Sequence, residues 1–120
     1  MQYLLMAYVD ENGWPKLSKS EQEQGIAAYA AYGEALRTSG VIKGSNRLQP
    51  SSVATTVRNT NGKPQVLDGP FADSKEQLGG YYLIDVPDLD AALSWAGRCP
   101  GVNHGSVEVR AIWDMANPGK

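Results

Sequence analysis

The 120-residue chain has one cysteine, one histidine and one phenylalanine, and nowhere a run of lysine or arginine. A lone Cys99 excludes an internal disulfide and suits a reducing compartment, so the expected location is cytoplasmic. With a formal net charge of -2, the chain has no electrostatic footprint for phosphates, which argues against nucleic acid as a partner. Cys99 and His104 are the only soft or borderline metal ligands, short of the roughly four that a structural site uses, so no metal is expected. The apolar opening Tyr3 to Val9 meets Asp10-Glu11 at once and has no basic leader. It is too short for a signal peptide or a membrane span, and no membrane partner is expected. Walker, Rossmann, nucleophile-elbow and zinc motifs are missing, and no long helix follows Gly79-Gly80 to make it a phosphate loop; no cofactor is expected.

What is present is ordinary globular material, 42% apolar and 20% charged, enough for one domain over 1–115 with a frayed tail at 116–120. Tyr3 to Val9 reads as a buried first strand. Trp14, in the loop after it, either packs back on its own domain or closes over a ligand or partner. Ser18 with Glu21 makes a capping box, and Gly40 supplies the left-handed stop, so the longest helix lies between them. Its expected buried stripe is Ile26, Tyr29, Ala30, Gly33 and Leu36. A second strand, broken at Gly44, runs from Val41-Ile42 to Arg47-Leu48. Val53 to Arg58 and Gln65-Val66-Leu67 form a hairpin around Asn61-Gly62. Pro87-Asp88 opens a second helix with Leu89, Ala92, Leu93 and Ala96 on one face, and Pro100-Gly101 stops it. Ser106 to Asp114 alternates as a final strand.

The densest stretch is Asp68-Gly69-Pro70-Phe71 followed by Ala72 to Val86. Asp68-Gly69-Pro70 is a turn, and Asp73 with Glu76 has capping-box spacing, which predicts a short helix ended by Gly79-Gly80. Tyr81 to Val86 then reads as a central strand. This stretch resembles the signature of the family named for its Asp-Gly-Pro-Phe tetrapeptide, a branch of the YCII-related proteins. Thr55-Thr56-Val57-Arg58, Lys75 to Gly80, Trp95 to Pro100 and His104 to Arg110 also look like that family, so the resemblance covers nearly the whole chain.

The strand and helix order is a split β-α-β, the α+β ferredoxin-like pattern, with an inserted hairpin. Helices cover one sheet face, yet Leu4, Met6 and Tyr8 face away from Tyr3, Leu5 and Val9, so both faces are apolar. A second copy is the simplest cover for the other face, the hairpin folded over it being the alternative. The resemblance likewise implies a homodimer, a dimeric α+β barrel.

The candidate catalytic residues are Asp68, at a sharp turn, His104, in a loop, and Tyr29, on the inward face of the first helix. Imidazole is the side chain whose unperturbed charge change falls near neutral pH. Each also has a structural reading: Asp68 as the cap of its own turn, His104 as a solvated loop residue, Tyr29 as core. Arg47, Arg58, Lys75 and Glu76 are candidate contacts for a substrate, or solvated strand and ion-pair residues. The resemblance implies a His on the first helix paired with an Asp, and, in one branch, dehydrochlorination of a chlorinated aromatic diol. Here that helix has no His, and Tyr29 stands at about its place, so the activity does not carry over. The expected function is binding of a small anionic or phenolic molecule, with cofactor-free proton transfer of the lyase or isomerase kind. The rival is a non-catalytic sensing or interaction module, since the resemblance also implies association with extracytoplasmic-function sigma factors.

Overall fold

The computed structural model describes residues 1–72 and 74–116. Strand β1 (Gln2–Val9) leads through a loop and a single helical turn at Trp14–Lys16 into helix α1 (Lys19–Ser39). Strands β2 (Ile42–Arg47), β3 (Thr55–Thr60), β4 (Lys63–Asp68) and β5 (Gln77–Asp85) follow, then helix α2 (Leu89–Arg98) and strand β6 (Gly105–Ala111). The main sheet is antiparallel in the order β2-β5-β1-β6, and β3 and β4 pair only with each other. With the hairpin set aside, this is the ferredoxin-like order.

Local chemistry sets the ends of these elements. The Ser18 hydroxyl accepts from the Glu21 amide at 3.1 Å, and the Ser18 amide donates to the Glu21 carboxylate at 2.9 Å. That reciprocal box starts α1, and Gly40 at φ 78° ends it. Asp88 caps α2 by accepting from the Ala91 amide. Asn61 and Gly62, at φ 52° and 81°, turn the β3–β4 hairpin in the mirror-image geometry that strand twist favours.

The core lies between the helices and one face of the sheet. Tyr3, Leu5, Ile84 and Val86 meet Tyr32 and Leu36 of α1 and Ala92, Ala96 and Cys99 of the α2 end. The Tyr32 hydroxyl donates to the Trp95 carbonyl at 2.8 Å, and its ring stands edge-on to Tyr82 at 5.2 Å. The buried stripe of α1 is therefore Tyr29, Tyr32 and Leu36, in place of the one expected from Ile26 and Ala30; Ile26 is 60% exposed. On α2, Leu89 and Leu93 are about half exposed, while alanines are buried. Small residues let the short helix lie close on the sheet. The Trp14 ring packs on its own domain, 3.1 Å from where a side chain at Gly25 would begin.

The stretch after Phe71 departs from expectation. No helix forms at Ser74 to Glu76, and β5 already starts at Gln77 and runs through Gly79-Gly80; Asp73 lies outside the described residues. The glycines serve close strand approach. A Cβ at Gly80 would lie 2.9 Å from the Asn46 carbonyl, which is backbone and cannot yield. Gly79 is the extra residue of a bulge, since Ala7 pairs with Gly80 but Tyr8 with Leu78. Strand β6 also stops at Ala111, short of the expected Asp114.

The hairpin does not fold over the helix-free face. The molecule measures 48 × 47 × 18 Å, and the thin dimension holds a sheet and one helix layer, with no room for a third layer about 10 Å further out. The radius of gyration is 16.5 Å, where a compact 120-residue domain has about 13.6 Å. The accessible surface is 8448 Å² against about 6,300 Å² for a compact 12.9 kDa monomer, an excess of about 2,100 Å².

Candidate functional site

Six tyrosines stand in this chain, and their hydroxyls divide cleanly. Tyr32 donates to a carbonyl, Tyr81 accepts from the Asn46 side-chain Nδ2 at 2.8 Å, and Tyr3 and Tyr8 lie against methionine sulfurs. Tyr29 and Tyr82 have no hydrogen-bond partner among the described residues. Both are only partly exposed, yet neither hydroxyl is sealed off, because no fully buried side-chain polar atom lacks a partner there. A half-buried phenol left open in this way can take a hydrogen bond from, or give one to, a bound molecule.

These two phenols share one region. Tyr82 is on the helix face of β5, beside Leu5 and Ser45 in register, and Tyr29 comes down from α1. A Cβ at Gly101 would lie 3.1 Å from the Tyr29 hydroxyl and 3.7 Å from the Cys99 sulfur and the Ala7 side chain. Ala7 and its partner Gly80 present little or no side chain on the same sheet face, so the hydroxyls stand over a floor of small residues. Arg47, at the end of β2 and in register with Gly80, supplies the cation.

Electrostatics fixes what the phenols can do. Burial pushes Tyr29 up, with the Cys99 sulfur adding to the effect and Arg47 opposing it. Burial likewise pushes Tyr82 up to about 12, reinforced by Cys99 and Tyr29. Burial also raises the Cys99 thiol, against a lowering contact from Gly101. All three groups are neutral at physiological pH. The phenols are hydrogen-bond donors and not bases, and Cys99 is not an activated nucleophile.

The remaining expected residues fall elsewhere. His104 is exposed in the turn whose amide donates to the Gly101 carbonyl at 3.2 Å, one loop with the residue beside Tyr29. Asp68 ends β4, exposed; no hydrogen bond or ion pair joins it to Tyr29, Arg47 or His104, and its carboxylate caps no neighbouring amide among the described residues. Arg58 lies over the Phe71 ring at 5.6 Å, also on the hairpin. Glu76 accepts from the Ser106 hydroxyl at 3.0 Å, and exposed Lys75 forms no ion pair with it. Glu76 and Ser106, with Tyr8, Ser74, Val107 and Glu108, line an open depression of about 400 Å³ on the sheet. Tyr82 went unrecognised in the sequence because strand alternation marked only its face; its open hydroxyl depends on which neighbours the fold brings.

A profile of the YCII-related domain matches residues 1–116. The chain belongs to the YCII-related family. A relative in Rhizobium meliloti (strain 1021), described as an uncharacterized protein, is 39% identical over 122 residues, covering 100% of this chain and 98% of its own. Among solved structures, 5-chloro-2-hydroxyhydroquinone dehydrochlorinase from Burkholderia phenoliruptrix AC1100, in complex with 2,5-dihydroxybenzoquinone, superposes with a TM-score of 0.54. It covers 93% of each chain at 16% identity, so it shares the fold of this YCII-related protein. No described helix is long and apolar enough to cross a membrane.

Proposed function

We propose that this YCII-related protein binds a small anionic or phenolic organic molecule between α1 and the sheet. The observation that carries the reading is the pair of open phenol hydroxyls, Tyr29 and Tyr82, beside Arg47 over a floor of alanine and glycine. Two neutral donors and a cation suit an oxygen that bears, or develops, negative charge, such as a phenolate, enolate or carboxylate. Reaction follows if a base removes a proton while the phenols hold the resulting oxyanion, an elimination or isomerisation that uses no cofactor. His104, on the Gly101 loop, is assigned the proton transfer. The dihydroxybenzoquinone bound by the dehydrochlorinase has the same chemistry of ring oxygens, which supports this ligand class. The working unit is a homodimer joined across the helix-free face.

A second reading, ligand sensing without turnover, is favoured by one feature: the phenols and the thiol at the centre of the site all stay protonated, so no base lies among them. A thermal-shift screen with hydroxyquinones, phenols and small carboxylates tests the binding. A stabilising ligand should lose its effect in Tyr29→Phe, Tyr82→Phe and Arg47→Gln. Equal stabilisation of those variants and the unsubstituted protein would overturn the site. Turnover of that ligand, abolished in His104→Ala with binding kept, selects the enzyme; binding without turnover selects the sensor.

A further inference from the structure

The β3–β4 hairpin has the alternation of a half-buried strand pair, with nothing burying it. Val57 and Val66 stand directly opposite each other, and Pro64 is on their side in register; Thr56, Arg58, Thr60, Lys63, Gln65 and Leu67 alternate to the other. Val57 is 63% and Val66 68% exposed. A lone two-stranded hairpin is marginal in water, and it needs a third strand or a packed face to persist.

This hairpin is nevertheless held firmly at its root. The Glu11 carboxylate accepts from the Ser51 amide at 2.7 Å and from its hydroxyl at 2.8 Å, and the Gln77 side chain accepts from the Glu11 amide at 3.1 Å. The Gly69 amide donates to the Ala54 carbonyl at 2.7 Å, and the Thr56 hydroxyl to the Gly69 carbonyl at 2.8 Å. An arm fixed at its base and bare along one side is built to lie on something.

We propose that the arm lies, valine side down, on the helix-free sheet face of a second copy of this chain, each copy giving and receiving one arm. Leu4, Met6 and Leu83 of that face would meet Val57 and Val66, and the arm would roof the depression at Tyr8, Glu76, Ser106 and Glu108. The surface excess of about 2,100 Å² per chain falls within the range that a subunit of an obligate dimer can hide, and exceeds the roughly 800 Å² per partner of a standard-size interface. A two-fold axis supplies both arms with identical seats. The valine side carries no charge but Asp68 at the arm's root, whereas Arg58 and Lys63 stand on the opposite side, so the side laid down is the less charged one. The proposal rests on the reading that two copies share this face, and adds that the arm carries the pairing.

Sedimentation velocity over a dilution series tests it, on the whole protein, on Val57→Asp/Val66→Asp, on the milder Val57→Ser/Val66→Ser, and on Thr60→Asp/Gln65→Asp. Circular dichroism checks each fold; all these positions are exposed within one chain, so the subunit itself should survive. The protein should be a dimer, and both valine variants should dissociate at concentrations at least about tenfold higher, the Asp pair more than the Ser pair. The opposite-side variant should match the unsubstituted protein. Unchanged dimerisation of the valine variants overturns the arm and leaves the shared face standing. An equal loss in the opposite-side variant also overturns the valine-side seat. A monomer throughout removes the shared face and the arm together.

Discussion

Replacing each of three tyrosines by phenylalanine should separate structure from function by the hydroxyl alone, because the ring and its packing remain. Tyr32→Phe deletes the donor to the Trp95 carbonyl, a bond of 2.8 Å in the core. Losing a net hydrogen bond and leaving a half-buried carbonyl without its partner should cost about 1–2 kcal/mol. For a chain of this length the unfolding entropy is about 0.25 kcal/mol/K, so Tm should fall by about 4–8 °C. Tyr29→Phe and Tyr82→Phe remove hydroxyls that bond to nothing among the described residues. Their cost should stay within about 0.5 kcal/mol, or turn slightly favourable, since a polar group no longer has to be half-desolvated. The edge-on ring contact of Tyr82 with Tyr32 survives the change. Urea melts with coincident fluorescence and circular dichroism transitions measure all three. If Tyr29→Phe or Tyr82→Phe costs as much as Tyr32→Phe, those hydroxyls have structural partners, and the ligand site drawn from their openness is refuted.

Alkaline pH should weaken the fold. Tyr29, Tyr82 and Cys99 all have folded-state values raised above those of the unfolded chain, so the unfolded state loses its protons first. Stability should hold up to about pH 9 and fall as pH climbs toward about 12; a flat urea midpoint from pH 8 to 11 would contradict the burial of these groups. Glu11→Ala should leave the Ser51 amide and hydroxyl unpartnered, cost about 1–3 kcal/mol, and speed amide exchange at Ser51 and Ala54 while β1 and β5 stay protected. Protection unchanged at Ser51 would mean that the hairpin root is held by other contacts.

The fold was legible because its punctuation is local. Ser18 with Glu21, Gly40, Asn61-Gly62 and Asp88 each act through neighbours in the chain, and each marks the expected boundary. The failures have the opposite cause. Ile26 and Tyr32 are both apolar enough for a buried stripe, and the choice between them was made by Trp95, 63 residues from Tyr32. Gly79-Gly80 reads as a helix stop from its own dipeptide, whereas its function is set by Val9 and the Asn46 carbonyl on neighbouring strands. The candidate site was half visible. Tyr29 and Arg47 could be named from helix phase and charge, but the openness of Tyr82 and the separation of Asp68 onto the hairpin are three-dimensional facts.

The bulge at Gly79 has a mechanical consequence. Past it the register is offset by one place, so that Tyr8 and Val9 align with Leu78 and Gln77 and not with Gly79 and Leu78, and it is Gln77 that grips the Glu11 amide, while Glu11 in turn grips Ser51. One surplus glycine thus works as a shim whose thickness decides where the arm is aimed. Relatives that keep every loop but drop this residue would carry the same arm on a different bearing.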